Sequence, residues 1–203
     1  MTDTTHQTVL LDETVDGLLL SAGKTAIDAT AGTGGHAEKL ARIIGTRGTL
    51  LLVDVDPRSI ERSRERLEDA LGKVIFMQGN FRNLKTLAAE AGIVRADGIV
   101  FDLGWHAEQL AEGKGLSFKS DEPLVMTLGE RSSLAGQATL TAKDIIADWD
   151  EEEIARIIRE YGEERFAGRI ARAIVEARHE GPIQTARELA EVIFQSVPGF
   201  YRH

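Results

Sequence analysis

Four short apolar runs punctuate the first half of the chain, at residues 24–29, 49–54, 73–78 and 98–102. Each is nearly continuous in Val, Ile, Leu or Phe instead of alternating, the pattern of parallel strands buried on both faces. Amphipathic stretches fill the gaps. Residues 9–20 predict a helix ahead of the first strand, and residues 35–44 and 82–91 predict two more. Between the second and third runs, Asp56-Pro57 supplies an N-cap followed by proline at the first helical position. Ile60, Leu67, Ala70 and Leu71 then fall on one face, and Gly72 closes that helix. The order β-α-β-α-β-α-β places the chain in the α/β class, with a parallel, doubly wound, Rossmann-like sheet and right-handed crossovers.

Past Asp102 the strand pattern stops. Gly104, Gly113, Gly115, Gly129 and Gly136 are separated by long polar intervals, so residues 105–140 read as an irregular loop region after a sheet part at residues 1–104. From Thr141 to His203 the period is helical. Ile154, Ile157, Ile158 and Tyr161 share one face; Phe166, Ile170, Ala173, Ile174 and Ala177 share another. Thr185-Ala186-Arg187-Glu188 is a capping box that opens a last helix through Leu189, Val192 and Ile193. The second half is thus a small all-α unit.

Composition narrows the class. The chain has 203 residues, 42% of them apolar, with 24 Lys and Arg against 33 Asp and Glu, a net charge of −9, and no Cys. A disulfide framework, a thiolate zinc site and a Cys nucleophile are excluded, and the expected compartment is the cytoplasm. With no His cluster either, no metal is expected. No run approaches the roughly 18 apolar residues of a membrane span. Counterion release rewards clustered Lys and Arg, so any nucleic-acid contact must be local. The candidate basic face comprises Arg165, Arg169 and Arg172 on one helix flank, with Lys114 and Lys119 in the loop region; Glu176, four residues after Arg172, supports the competing reading of an ion-paired, solvated flank.

The ligand of an open parallel sheet sits beyond the carboxyl ends of its strands. The first strand leads into Asp28-Ala29-Thr30-Ala31-Gly32-Thr33-Gly34-Gly35-His36-Ala37, a glycine-rich turn that opens a helix and fits G-x-G-x-x-A. The second ends in Asp54-Val55-Asp56. Asp56 is occupied as an N-cap, which leaves Asp54 to accept both hydroxyls of a ribose. The third ends in Gly79-Asn80-Phe81, where Phe81 either meets an adenine or joins the core. The fourth ends in Phe101-Asp102-Leu103-Gly104, with Asp102 facing the cleft centre, where a desolvated acid is more often functional than structural. His6 and His36 read as hydrogen-bonding partners more readily than as an acid or base. A ribose acid and an adenine pocket fit NAD and S-adenosylmethionine; the acids Asp28 and Asp102 favour S-adenosylmethionine.

Several stretches in order resemble the ribosomal RNA small-subunit methyltransferase H (MraW) family. They are His6 to Glu13, Gly34-Gly35-His36, Asp54-Val55-Asp56-Pro57, Gly79-Asn80-Phe81, Asp97 to Gly104, Gly115-Leu116-Ser117-Phe118, Asp121-Glu122-Pro123-Leu124 and Tyr161 to Phe166, continued by Arg169 to Val175. The resemblance implies methyl transfer from S-adenosylmethionine to the exocyclic nitrogen of a cytosine in the 16S rRNA of the small ribosomal subunit. It implies that Gly34, Gly35, His36, Asp54, Phe81, Asp102 and Gln109 contact the cofactor, and that the helical unit is an inserted substrate domain.

Three features depart from the family pattern. Trp105-His106-Ala107-Glu108-Gln109 follows Asp102-Leu103-Gly104 where the family carries paired serines; Val125 and Thr127 stand where it tends to have Asp and Arg; and the chain ends at His203 where the family continues into further strands. The lost serines and the missing strands motivate a second reading, a catalytically inactive cofactor-binding or ribosome-associated module. A third and weaker reading is an NAD-dependent oxidoreductase. Asp102 is the candidate catalytic group, as an acceptor for an amine hydrogen. A fourth strand at the sheet edge predicts self-association or a compensating cover.

Overall fold

The computed structural model describes residues 9–104, 113–119, 121–127 and 140–202. The chain divides into two compact units, Met1 to Gly104 with Gly129 to Gln137, and Trp105 to Leu128 with Ala138 to His203.

The first unit is built on four parallel strands, β1 (Thr25–Asp28), β2 (Thr49–Asp54), β3 (Lys73–Gln78) and β4 (Gly98–Val100), in the order β3-β2-β1-β4. Helices α1 (Leu11–Gly17), α2 (Gly35–Ile44), α3 (Pro57–Arg66) and α4 (Leu84–Glu90) connect or flank them. The α/β sheet expected from the apolar runs is present. Strand β2 explains its own sequence: Leu50 and Leu52 join Val15, Leu40, Ile44 and Ile60 in the core on one face, while Leu51 and Val53 join Ile27 and Leu87 on the other. Both faces being covered, the run shows no polar alternation. Strand β1 is central too, in register with β2 at Ile27 to Leu51 and with β4 at Ile27 to Ile99.

Some element ends differ from the periodicity. Helix α3 stops at Arg66, and Leu67 to Asp69 form turns, so the continued helical face to Leu71 is lost and Leu71 is 78% exposed. Gly72 serves close packing: a Cβ there would lie 2.6 Å from the Gly45 carbonyl oxygen. Strand β4 ends at Val100, short of Asp102. Helix α1 spans only Leu11–Gly17, because Leu10 and Leu19 on either side adopt left-handed backbone.

The second unit holds α5 (Ala142–Asp148), α6 (Glu151–Glu160), α7 (Ala167–Glu180) and α8 (Ala186–Ser196) around Leu124, Ile146, Ile154, Ile170, Ile174 and Leu189. Reciprocal capping boxes open α5 (Thr141 with Asp144) and α8 (Thr185 with Glu188), and the Asp150 side chain caps α6. Helix α6 ends before Tyr161, which is exposed and does not continue the Ile154 face. Residues 121–127 are irregular but bound to these helices. The Leu124 amide donates to the Gln184 carbonyl at 3.0 Å, and the Leu124 carbonyl accepts from the Lys143 amide at 2.8 Å. Beside them Gly115 has φ +75°, and a Cβ on it would lie 2.3 Å from the Pro123 carbonyl oxygen. Arg178 Nη1 donates to the carbonyls of Ile146 at 2.8 Å and Trp149 at 2.7 Å, neutralising the end of α5.

Leu51→Ala, in a side chain with no exposed surface, should cost about 3 kcal/mol in urea unfolding. Leu71→Ala, at the position the periodicity wrongly assigns to the core, should change stability by less than about 0.5 kcal/mol; similar losses at both sites would contradict the exposed turn.

Candidate functional site

The glycine turn is shaped by backbone that favours glycine. Gly32 and Gly34 have φ +53° and +81°, and a Cβ on Gly34 would meet the Cα and Oγ of Ser63 at 3.3 Å. Buried Ser63 donates its hydroxyl to the Gly32 carbonyl at 3.1 Å, fixing the turn against α3. Gly34 caps α2 without a side chain, so Gly35, His36 and Ala37 form a first turn whose amides have no carbonyl of the preceding helix to bond.

Carboxylates gather around this turn. Asp54 accepts from the Gly32 amide at 2.8 Å and the Asp56 amide at 2.9 Å, tying the ends of β1 and β2 together. Burial pushes its carboxyl above the usual range, and these amide bonds pull it back in part. Asp56 is spent as anticipated, its side chain capping α3 at the Arg58 amide and pairing with the Arg58 guanidinium at 3.1 Å. The Asp102 amide donates to Thr30 Oγ1 at 2.7 Å, and Asp102 Oδ2 lies 3.8 Å from His36 Nδ1. His36 is buried, and that burial holds its imidazole below the ordinary histidine range despite Asp102, so it is neutral near pH 7.

Asp28 is the most enclosed of these acids. It is 1% exposed; Oδ1 accepts only the Thr30 amide, at 3.2 Å, and Oδ2 has no hydrogen-bond partner. Burial, with the negative charges of Asp54 and Asp102 adding to it, pushes its carboxyl up to about 7. Asp28 Oδ2 and His36 Nε2 are the two buried side-chain polar atoms without a partner among the described residues. Unsatisfied polar atoms on the residues flanking a glycine turn are the chemistry of a site that takes a polar ligand.

Phe81 opens a one-turn 3-10 segment whose Asn80 cap accepts the Arg82 amide at 2.9 Å. It is 41% exposed, which excludes the core reading, and its ring meets that of Phe101 edge-on at 5.7 Å. The turn after β3 thus reaches over the strand ends to the residue following β4. Phe101, Thr30 and Ser63 escape the sequence reading. Thr30 and Phe101 sit inside the quoted motifs, but the local pattern assigns them to the turn and the strand; Ser63 lies in a helix with no distinguishing spacing.

The basic candidates are placed differently from the periodicity. Arg165 precedes α7 and is not on its flank; its guanidinium stacks on the rings of Phe166 at 4.8 Å and Tyr201 at 4.6 Å. Arg172 pairs with Glu151 of α6 at 3.5 Å, not with Glu176. Arg169 is exposed on α7. The Lys119 carbonyl accepts from Arg187, and the Lys114 carbonyl from the Met126 amide. A groove of about 530 Å³ between α7 and α8 is lined by Glu176, Glu180, Glu188 and Glu191, the wrong charge for a phosphate backbone. Gln109 and His6 lie outside the described residues. Among the described residues no helix is long and apolar enough to cross a membrane, and no group of three or more His, Asp or Glu is arranged to hold a metal.

Folding keeps a proton on Asp28 that the unfolded chain loses near pH 4. This group's contribution to stability therefore declines as pH rises from about 4 to about 7. Asp28→Asn should raise the melting temperature relative to the parent by about 10 °C more at pH 8 than at pH 4, read by circular dichroism. An equal offset at the two pH values would show that Asp28 is not held protonated.

The sequence profile of the MraW methylase family matches residues 3–203. A ribosomal RNA small subunit methyltransferase H of Brevibacillus brevis is 42% identical over 198 residues, covering 97% of this chain and 61% of the relative. One from Paenibacillus is 39% identical over 204 residues, covering 97% and 63%. The chain thus spans a little over 60% of the length of these relatives. Among solved structures, a protein-L-isoaspartate O-methyltransferase aligns with a TM-score of 0.33 at 23% identity, over 36% of this chain and 23% of its own. On the near-complete profile match, the chain belongs to the MraW methylase family.

Proposed function

We propose that this chain binds S-adenosylmethionine at the carboxyl ends of its strands and serves methyl transfer to the exocyclic N4 of a cytosine in the 16S rRNA of the small ribosomal subunit. The observation that carries the reading is the ring of Asp28, Asp54 and Asp102 around a glycine turn, in a chain of this family. Acids with no Lys or Arg partner among the described residues suit a cationic ligand and repel a polyphosphate, which favours this cofactor over NAD. The cofactor supplies an electrophilic methyl group on a sulfonium.

The protein's part is positioning and desolvation. The partly buried Asp54 carboxylate, oriented by two amides, keeps lone pairs for a ribose. Phe81, steadied edge-on by Phe101, offers an aromatic face to an adenine. Asp102 is half exposed and fixed through its own amide by Thr30. It accepts a hydrogen bond from the target amine, localising a lone pair that the pyrimidine ring would otherwise delocalise. The base must be unstacked to reach it. Among the basic residues, exposed Arg169 supports phosphate contact best, because Arg165 and Arg172 are committed to aromatic and acidic neighbours. The absence of the paired serines favours a second reading, cofactor binding without transfer.

Calorimetry should show binding of S-adenosylmethionine and none of NAD. Asp54→Ala should weaken it about 10- to 100-fold, the loss expected for hydrogen bonds to a charged acceptor. Labelled methyl should pass to small subunits that lack the modification, and Arg169→Glu should reduce their capture while leaving cofactor affinity unchanged. Cofactor binding without methyl incorporation would establish the second reading.

A further inference from the structure

The carboxyl end of strand β1 holds a charge problem that cofactor positioning alone leaves unanswered. Asp28 lies at the end of the central strand β1 with one carboxyl oxygen bonded to a single backbone amide and the other to nothing. The charged groups around it are Asp54 at the end of β2 and Asp102 beyond β4, both acidic, while His36 of α2 is buried, uncharged and turned to Asp102. No described cation pairs with Asp28 from any of these elements. An ionised carboxylate so enclosed lacks both water and a counter-charge, which costs several kcal/mol.

We propose that Asp28 holds a proton in the free protein and surrenders it when the cationic end of S-adenosylmethionine enters, so that capture of the cofactor releases a proton. The inference rests on the reading of the site given above. The balance is simple: the Asp28 O–H bond breaks, the proton passes to solvent, and the carboxylate that remains neutralises positive charge on the ligand. Asp54 differs in that each of its oxygens already accepts a backbone amide, whereas one Asp28 oxygen accepts nothing. Asp102 is half exposed, so its carboxyl is not enclosed as that of Asp28 is.

With the Asp28 carboxyl near 7 in the free protein, about half a proton per ligand should leave at pH 7 and close to one at pH 6. Affinity should rise about fivefold from pH 6 to pH 7. The test is titration calorimetry with S-adenosylmethionine at pH 6 in two buffers of different ionisation enthalpy, on the parent and on Asp28→Asn. The expected result is a buffer-dependent heat in the parent that vanishes in the variant. Tight binding with the same heat in both buffers overturns the inference and leaves the cofactor assignment intact. No binding at any pH removes that assignment and the inference with it. Proton release that persists in Asp28→Asn assigns the proton elsewhere and overturns the inference. Should the variant misfold, carboxyl 13C titration of the parent decides: a resonance titrating near pH 7 in the free protein and lost from that range on saturation supports the proposal, and none titrating above about pH 5.5 refutes it.

Discussion

The two-sided burial of β1 and β2 is the constraint on which the sheet unit depends. With Leu50 and Leu52 packed on one face and Leu51 and Val53 on the other, neither strand has a solvated face for a polar side chain. Polar groups are displaced to the strand ends, and there Asp28 and Asp54 stand. The arrangement of the core and the chemistry of the site thus have one cause. The Asp54 carboxylate adds the link between them, since it holds the Gly32 amide and so carries the position of β2 into the glycine turn.

The sheet was legible because buried parallel strands leave an unmistakable local mark, and the capping box at Thr185 was legible because it is local by construction; the equivalent box at Thr141, with the same spacing to Asp144, went unread. What periodicity misjudged depends on distant parts of the chain. Leu71 keeps helical spacing with Leu67, yet the helix has already ended, and Gly72 is held by its approach to Gly45. Arg165 falls at the right interval from Arg169, but Phe166 caps α7 and draws the guanidinium onto aromatic rings. At the site, Asp54 and Phe81 were identifiable by their places after strands, whereas Thr30 and Ser63 act through tertiary contacts with Asp102 and Gly32 that no spacing encodes.

Charge is distributed with the same economy. The sheet unit concentrates acids around the glycine turn, and the helical unit places glutamates along the α7 to α8 groove while committing Arg172 and Arg187 to acidic neighbours. A net charge of −9 therefore leaves little free positive surface on the described helices, and whatever phosphate contact they make must be narrow and oriented.

The contact of Gly115 with Pro123 restricts how this chain can vary. Any side chain at position 115 would have to occupy the space of the Pro123 carbonyl in a backbone conformation that L residues avoid. Substitution there is closed one residue at a time, and no compensating change in a neighbouring side chain reopens it, because the obstacle is backbone. Diversification of this segment is therefore steered to flanking positions. Val125 and Thr127 lie outside that contact; in a saturation library the segment should be less tolerant at Gly115 than at residues 125 and 127.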